Sequence, residues 1–231
     1  MKKLFIILLC IISINTFAHT YGCVIGSSTV AASYGFSAVA SNILTTYDTT
    51  QCYRVKSIAA SSATIQGQMT TFCTDADKAL FDWVSIEIGL NNLTESALTI
   101  IGRLQTLVDT IHYYNPTAKI ILCTMTPCRQ SIGEVKYLIW LDVNCAIMNT
   151  YSTNVTDVDY RLDTHTAALN DGNGNLAAIY DYGDHIHPNE AGRVIIGAAY
   201  RTALISLCML PCTAMHSKTK GILIGKKLLI K

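Results

Sequence analysis

Residues 83–124 read "WVSIEIGLNNLTESALTIIGRLQTLVDTIHYYNPTAKIILCT", and this stretch decides the fold. It opens and closes on short apolar, β-rich runs, 83–89 and 119–124, which read as buried strands. Between them Ala97, Ile101, Leu104, Val108 and Ile111 recur at helical spacing and form a stripe for burial. Thr94 is the expected N-cap, and Pro116 stands just past the helix end. Strand, helix and strand in close succession form a βαβ unit, whose two strands lie parallel.

The same alternation extends to both sides. "CVIGSS" (23–28), "YRVKSIA" (53–59) and "VTDVDY" (155–160) read as further strands. Helices are expected from about Gly133 to Tyr151 and from Pro188 through "AGRVIIGAAYRTALISL". Five strands with intervening helices predict an α/β fold, a mostly parallel sheet covered on both faces. No repeat, linker or low-complexity segment interrupts it, so one domain is expected over residues 19–212. In such sheets ligands bind at the carboxyl ends of the strands. Here those ends are Gly26-Ser27-Ser28, Ala59 to Ser61, and Gly89 to Asn92.

At 231 residues the chain has ample length for a core. Its first eighteen residues carry Lys2 and Lys3, an apolar run from Leu4 to Ile14, and Thr16-Phe17-Ala18 as a cleavage site. That is the pattern of a signal peptide, so a secreted or periplasmic protein is expected. The run is shorter than the ~20 residues a membrane-spanning helix needs. Of nine cysteines, Cys10 would leave with the signal, and the remaining eight (Cys23, Cys52, Cys73, Cys123, Cys128, Cys145, Cys208, Cys212) predict disulfides in an oxidising compartment.

The formal charge is +1, but two lysines lie in the leader and five follow Cys212, leaving ten basic against sixteen acidic residues between them. A mildly acidic body argues against a nucleic-acid surface. The tail 213–231 is basic and apolar and reads as a frayed end, with weak contact to an anionic membrane surface as the other reading.

Two strand ends and one helix start hold candidate chemistry. "VIGSST" places Ser28 at a strand-to-helix turn, and "IEIGLNN" places Asn91 where its side-chain amide could donate to a developing oxyanion. Near the carboxyl terminus, "GDHIHPNEAG" (183–192) sets Asp184 three residues before His187. With Pro188 as the first helical residue, His187 takes the cap position and Asp184 accepts one imidazole N–H, leaving the other nitrogen to take a serine proton. The competing reading, a metal site on His185 and His187 with Asp184, lacks further ligands at metal spacing. No metal or other cofactor is therefore expected. Calcium at "DGNGN" (171–175) fails because Leu176 and Tyr182 occupy the sixth and twelfth loop positions, where an EF-hand has glycine and glutamate.

In this order and spacing, the blocks resemble the SGNH (GDSL-type) hydrolases, serine esterases and lipases with a three-layer α/β/α fold. The resemblance runs from about Cys23 to Leu207. It is carried by Gly26-Ser27-Ser28, "SIAASSAT", Gly89-Leu90-Asn91-Asn92, "ILCTMTP" and Asp184-His185-Ile186-His187-Pro188. It implies Ser28 as nucleophile, His187 as base and Asp184 as its support. The implied oxyanion hole is the backbone N–H of Ser28, that of Ala59 and the Asn91 amide. Three positions depart from the pattern: Ser27 and Asn92 replace aspartates, and Ala59 stands where a glycine is expected, a strained substitution if φ there is positive.

The expected function is hydrolysis of carboxylic esters through an acyl-enzyme on Ser28, with short acyl, O-acetyl-glycan and lipid esters as substrate classes. The alternatives are a non-catalytic binding module on the same fold and a metal-dependent hydrolase using His185 and His187.

Overall fold

The computed structural model describes residues 20–31, 53–164 and 168–209. Five strands form one sheet: β1 (Thr20–Gly26), β2 (Tyr53–Ser57), β3 (Trp83–Glu87), β4 (Lys119–Cys123) and β5 (Tyr160–Leu162). Every pairing is parallel, in the order β2-β1-β3-β4-β5. The chain thus reverses its direction of travel across the sheet between β1 and β3, the crevice where open α/β sheets hold their ligands. Five helices accompany the strands among the described residues: α1 (Ile65–Thr74), α2 (Ala97–Tyr114), the single turn α3 (Arg129–Ile132), α4 (Glu134–Ile147) and α5 (Glu190–Ser206).

Period-two alternation sorts the strand side chains into two cores. Cys23 and Ile25 of β1, Val84 and Ile86 of β3, and Ile120 and Leu122 of β4 face one cluster, where they meet Phe72 of α1, Leu104 and Val108 of α2, and Trp140 and Val143 of α4. Val24, Trp83, Ile121 and Cys123 face the other, against Ile196, Tyr200, Ala203 and Leu204 of α5. Helices on both faces of the sheet make the expected three layers.

The elements depart from expectation at their ends. Helix α2 is capped by Ser96, whose hydroxyl accepts the Thr99 N–H, and not by Thr94. A 3-10 turn at Leu90–Asn92 and the Glu95 N–H bond to the Asn92 carbonyl use up the residues before it. The fifth strand is 160–162 rather than 155–160, because Asp157 has φ of 56° and Thr156 is bonded to Gln105 of α2. The helix expected from about Gly133 to Tyr151 is α4, which starts at Glu134 behind Gly133, φ 75°, and ends earlier, at Ile147; the single turn α3 precedes it. The last helix starts at Glu190, with Asn189 as its cap.

The disulfide expectation is not met among the described residues. Cys23, Cys73, Cys123, Cys128, Cys145 and Cys208 are all free. Cys23, Cys123 and Cys128 serve as core side chains, and burial raises the pKa of each thiol. Cys10, Cys52 and Cys212, the expected signal segment 1–18 and the tail 213–231 lie outside the described residues. No described helix is long and apolar enough to cross a membrane.

Candidate active site

Strand β1 delivers Ser28 to the sheet's carboxyl edge. Beyond Gly26 the chain turns sharply, the Ser27 carbonyl accepting the N–H groups of Val30 and Ala31 at 3.2 and 3.0 Å. Gly26 is required there: a Cβ would overlap Val30 Cγ2 and lie 2.8 Å from the Glu87 carbonyl. Ser27 and Thr29 point inward and are buried, while Ser28 between them is only half-buried.

The opposite wall is the loop ahead of α5. It is closed by reciprocal backbone bonds, Tyr182 N–H to the His187 carbonyl at 2.9 Å and Asn189 N–H to the Tyr180 carbonyl at 2.8 Å. Asp184 Oδ1 accepts the N–H groups of Ile186 and His187 at 3.0 and 2.9 Å. That fixes the carboxylate so that Oδ2 lies 2.6 Å from His187 Nδ1. The far ring nitrogen, Nε2, is 2.8 Å from Ser28 Oγ, across 159 residues of sequence. Ser131 of α3 adds a hydrogen bond from its hydroxyl to the Asp184 carbonyl at 3.0 Å.

Charge in this triad follows from its donors. Burial alone would raise the Asp184 carboxyl, but the backbone N–H and ring of His187, the Ile186 N–H and the His187 charge together hold it below its ordinary value. An ionised Asp184 can only accept, so Nδ1 carries the N–H of that bond and Nε2 is the nitrogen that faces the serine hydroxyl. His187 has its side chain 15% exposed.

The N–H groups expected at an oxyanion hole differ in how they are engaged. Neither the Ser28 nor the Ala59 N–H donates to another described residue, whereas the neighbouring Ala60 N–H is used by the Gly26 carbonyl at 3.2 Å. Ala59 is free of the strain its departure from glycine raised: the described non-glycine residues with positive φ are Ser62, Asn149, Asp157, His185 and Cys208. Asn91 Nδ2 donates to the Ala63 carbonyl at 2.9 Å, which orients the amide and leaves its second N–H without a partner among the described residues. Asn92, the other departure, is a structural tie. Its Oδ1 accepts the Ile65 N–H at the start of α1, and its Nδ2 reaches Gln66 and Glu95, each at 3.0 Å.

His185 stands apart from this set. Its Nδ1 lies 2.6 Å from Asp181 Oδ2, and its backbone N–H donates to Oδ1 of the same residue. The two imidazoles therefore have separate carboxylates. Among the described residues no group of three or more His, Cys, Asp or Glu side chains converges as a metal site would require. The "DGNGN" stretch is a pair of side-chain-closed turns: Asn170 Oδ1 accepts from Gly172 and Gly174, and Asp171 Oδ1 from Asn173 and Asn175. His187 is not a helix cap, since Asn189 accepts the Gly192 N–H at 3.1 Å.

Sequence reasoning missed Asp181, Ala63, Ser131 and above all Glu87. The signal for Glu87 was present as a lone acid inside the apolar run "WVSIEIG". It is 3% exposed, and its two carboxyl oxygens each lie 3.1 Å from Thr29 Oγ1.

Solved structures share this architecture. A GDSL-like lipase from Bacteroides thetaiotaomicron matches with a TM-score of 0.62 at 16% identity, covering 89% of this chain and 97% of the other. A carbohydrate esterase family 3 protein from Talaromyces cellulolyticus matches at 0.63 and 18% identity, covering 82% and 98%. A catalytic mutant of Axe2, an acetylxylan esterase from Geobacillus stearothermophilus, matches at 0.59 and 19% identity, covering 80% and 94%. At these identities the likeness is one of fold. No curated protein matches the chain in sequence. The model of the GDSL-like lipase/acylhydrolase family matches residues 24–195, a span that holds the Ser28 turn, the Asn91 loop and the Asp184–His187 pair, and the chain belongs to that family.

Proposed function

We propose that this protein is a serine hydrolase that cleaves carboxylic esters through an acyl-enzyme on Ser28. The observation that carries the reading is the continuous line Ser28 Oγ, His187 Nε2, His187 Nδ1, Asp184 Oδ2, with links of 2.8 and 2.6 Å between side chains. Ser28 Oγ attacks the ester carbonyl carbon as its proton passes to Nε2. The imidazolium so formed keeps its Nδ1–H on Asp184, which offsets the new charge. The carbonyl oxygen, now an oxyanion, is received by the N–H groups of Ser28 and Ala59 and the free N–H of Asn91. Collapse expels the alcohol, which takes the proton from Nε2. Water then repeats the sequence on the acyl-enzyme, releasing the acid and restoring the Ser28 hydroxyl.

Substrate classes on this reading are short acyl esters, O-acetyl groups on glycans and lipid esters. The Talaromyces and Geobacillus proteins, named as a carbohydrate esterase and an acetylxylan esterase, support the glycan class. The apolar leader behind Lys2 and Lys3 supports export. The test is hydrolysis of p-nitrophenyl acetate by the wild type and by folded Ser28→Ala. Turnover is expected to fall by about 10⁶-fold in the variant. Equal turnover in the two would remove the assignment, and no turnover in the wild type on any of the three ester classes would favour a binding module.

A further inference from the structure

Glu87 ends β3 directly beside Gly26, its register partner on β1, two residues before the nucleophile. Its carboxyl is met by Thr29 Oγ1, and Thr29 Oγ1 is in turn 3.2 Å from Ser27 Oγ. The backbone N–H of Thr126, in the loop after β4, is a further donor. Both neighbours of Ser28 in sequence are thus tied to one buried acid, by a chain of three side chains that the ester mechanism does not itself use.

We propose that Glu87 is a positioning residue for Ser28, acting through Thr29 and Ser27, and that it does so as an uncharged acid. The proposal rests on the serine hydrolase reading above. An uncharged carboxyl can donate its O–H to Thr29, which donates onward to Ser27. An ionised one accepts only, so Thr29 must turn its hydrogen inward and the chain reverses. The ionised state also lacks compensation. The titratable groups around Glu87 are Cys123 of β4, Cys128 just beyond it and Tyr200 of α5, all held neutral chiefly by burial. Among the described residues no lysine, arginine or histidine pairs with Glu87. A buried carboxylate without a cation recovers solvation by opening its surroundings to water, and the surroundings here are the turn that holds Ser28. Burial pushes the Glu87 carboxyl up to about 8, against the bonds from Thr29 and Thr126, so the change falls within an accessible pH range.

The experiment compares the pH dependence of kcat/KM for p-nitrophenyl acetate in the wild type and Glu87→Gln, which stays uncharged at every pH. The wild type is expected to lose about tenfold for each pH unit well above 8, with the loss mainly in kcat, and Glu87→Gln to lack that limb. The shape of the profile is the readout, since a merely structural role changes its height alone. The same alkaline limb in both proteins overturns the proposal. Where Glu87→Gln does not fold, Thr29→Val serves: it cuts the link through which Glu87 reaches Ser27 and the Ser28 turn, so the limb should be lost, and a wild-type limb in this variant overturns the proposal. A wild type inactive at every pH sinks the hydrolase reading and this one together, whereas turnover with superimposable profiles sinks only this one.

Discussion

Asp184 holds His187 by two separate bonds: Oδ1 accepts the backbone N–H at 2.9 Å and Oδ2 meets ring Nδ1 at 2.6 Å. One carboxylate thus fixes both the position of the residue and the tautomer of its ring. Asp184→Asn keeps the size of the side chain but lets an amide N–H face Nδ1, which favours the wrong tautomer. Its kcat on an activated ester is expected to fall by about 10⁴-fold. A fall of less than tenfold would mean that the ring does not depend on Asp184.

The same pair sets an acid limit. A carboxyl held below its ordinary value in the folded state adds stability that is present above the unfolded value and lost as pH falls through the folded one. For Asp184, whose ordinary value is 3.8, the loss belongs below about pH 4. The thermal midpoint of the wild type should drop more steeply on acidification through this range than that of Asp184→Asn. Parallel curves would count against the shift.

Asn91 has one amide N–H on the Ala63 carbonyl and one without a partner among the described residues. Asn91→Ala removes a donor whose partner exists only once the oxyanion forms. Steady-state kinetics should show kcat reduced by about 100- to 1,000-fold with KM little changed. A change confined to KM would place Asn91 in ground-state binding.

Gly26→Ala tests the close approach of β1, β3 and the Ser28 turn. The added methyl would overlap Val30 Cγ2 and lie 2.8 Å from the Glu87 carbonyl, and neither backbone nor a branched side chain on the turn can retreat cheaply. Urea denaturation should show a loss of about 1–3 kcal/mol or more, together with reduced turnover. A variant of wild-type stability would mean that the turn is softer than its contacts imply.

The alternation of strand and helix was legible because period-two and helical runs are local properties, and so the sheet and both cores follow from sequence. Residues at element ends were harder. Val155 and Val158 make "VTDVDY" look like a strand, yet they pack from a loop whose shape is set by the left-handed backbone at Asp157 and by Gln105 of a distant helix. Pro188 looked like a first helical residue, but Asn189 wins the cap because its Nδ2 is also held by the carbonyls of Ile179 and Asp181. At the site, the adjacency of Asp184, His187 and Ser28 was readable from spacing and from family resemblance. Glu87 was not, because depth is a tertiary quantity: only the assembled sheet shows that this acid has Thr29 on one side and, among the described residues, no paired cation. Pairing of cysteines was unreadable for the same reason. Thiols at Cys23, Cys123 and Cys128 fill apolar space as small hydrophobes.

The most direct measurement is covalent labelling by a fluorophosphonate, followed by digestion and mass spectrometry of the modified peptide. The reagent needs a hydroxyl whose proton can be taken by a neighbouring base, which the 2.8 Å contact between Ser28 Oγ and His187 Nε2 supplies. A single adduct on Ser28, abolished in His187→Ala, is the expected result. Adduct on Ser27 instead, or no adduct on folded wild-type protein, would contradict the assignment of Ser28 as the nucleophile.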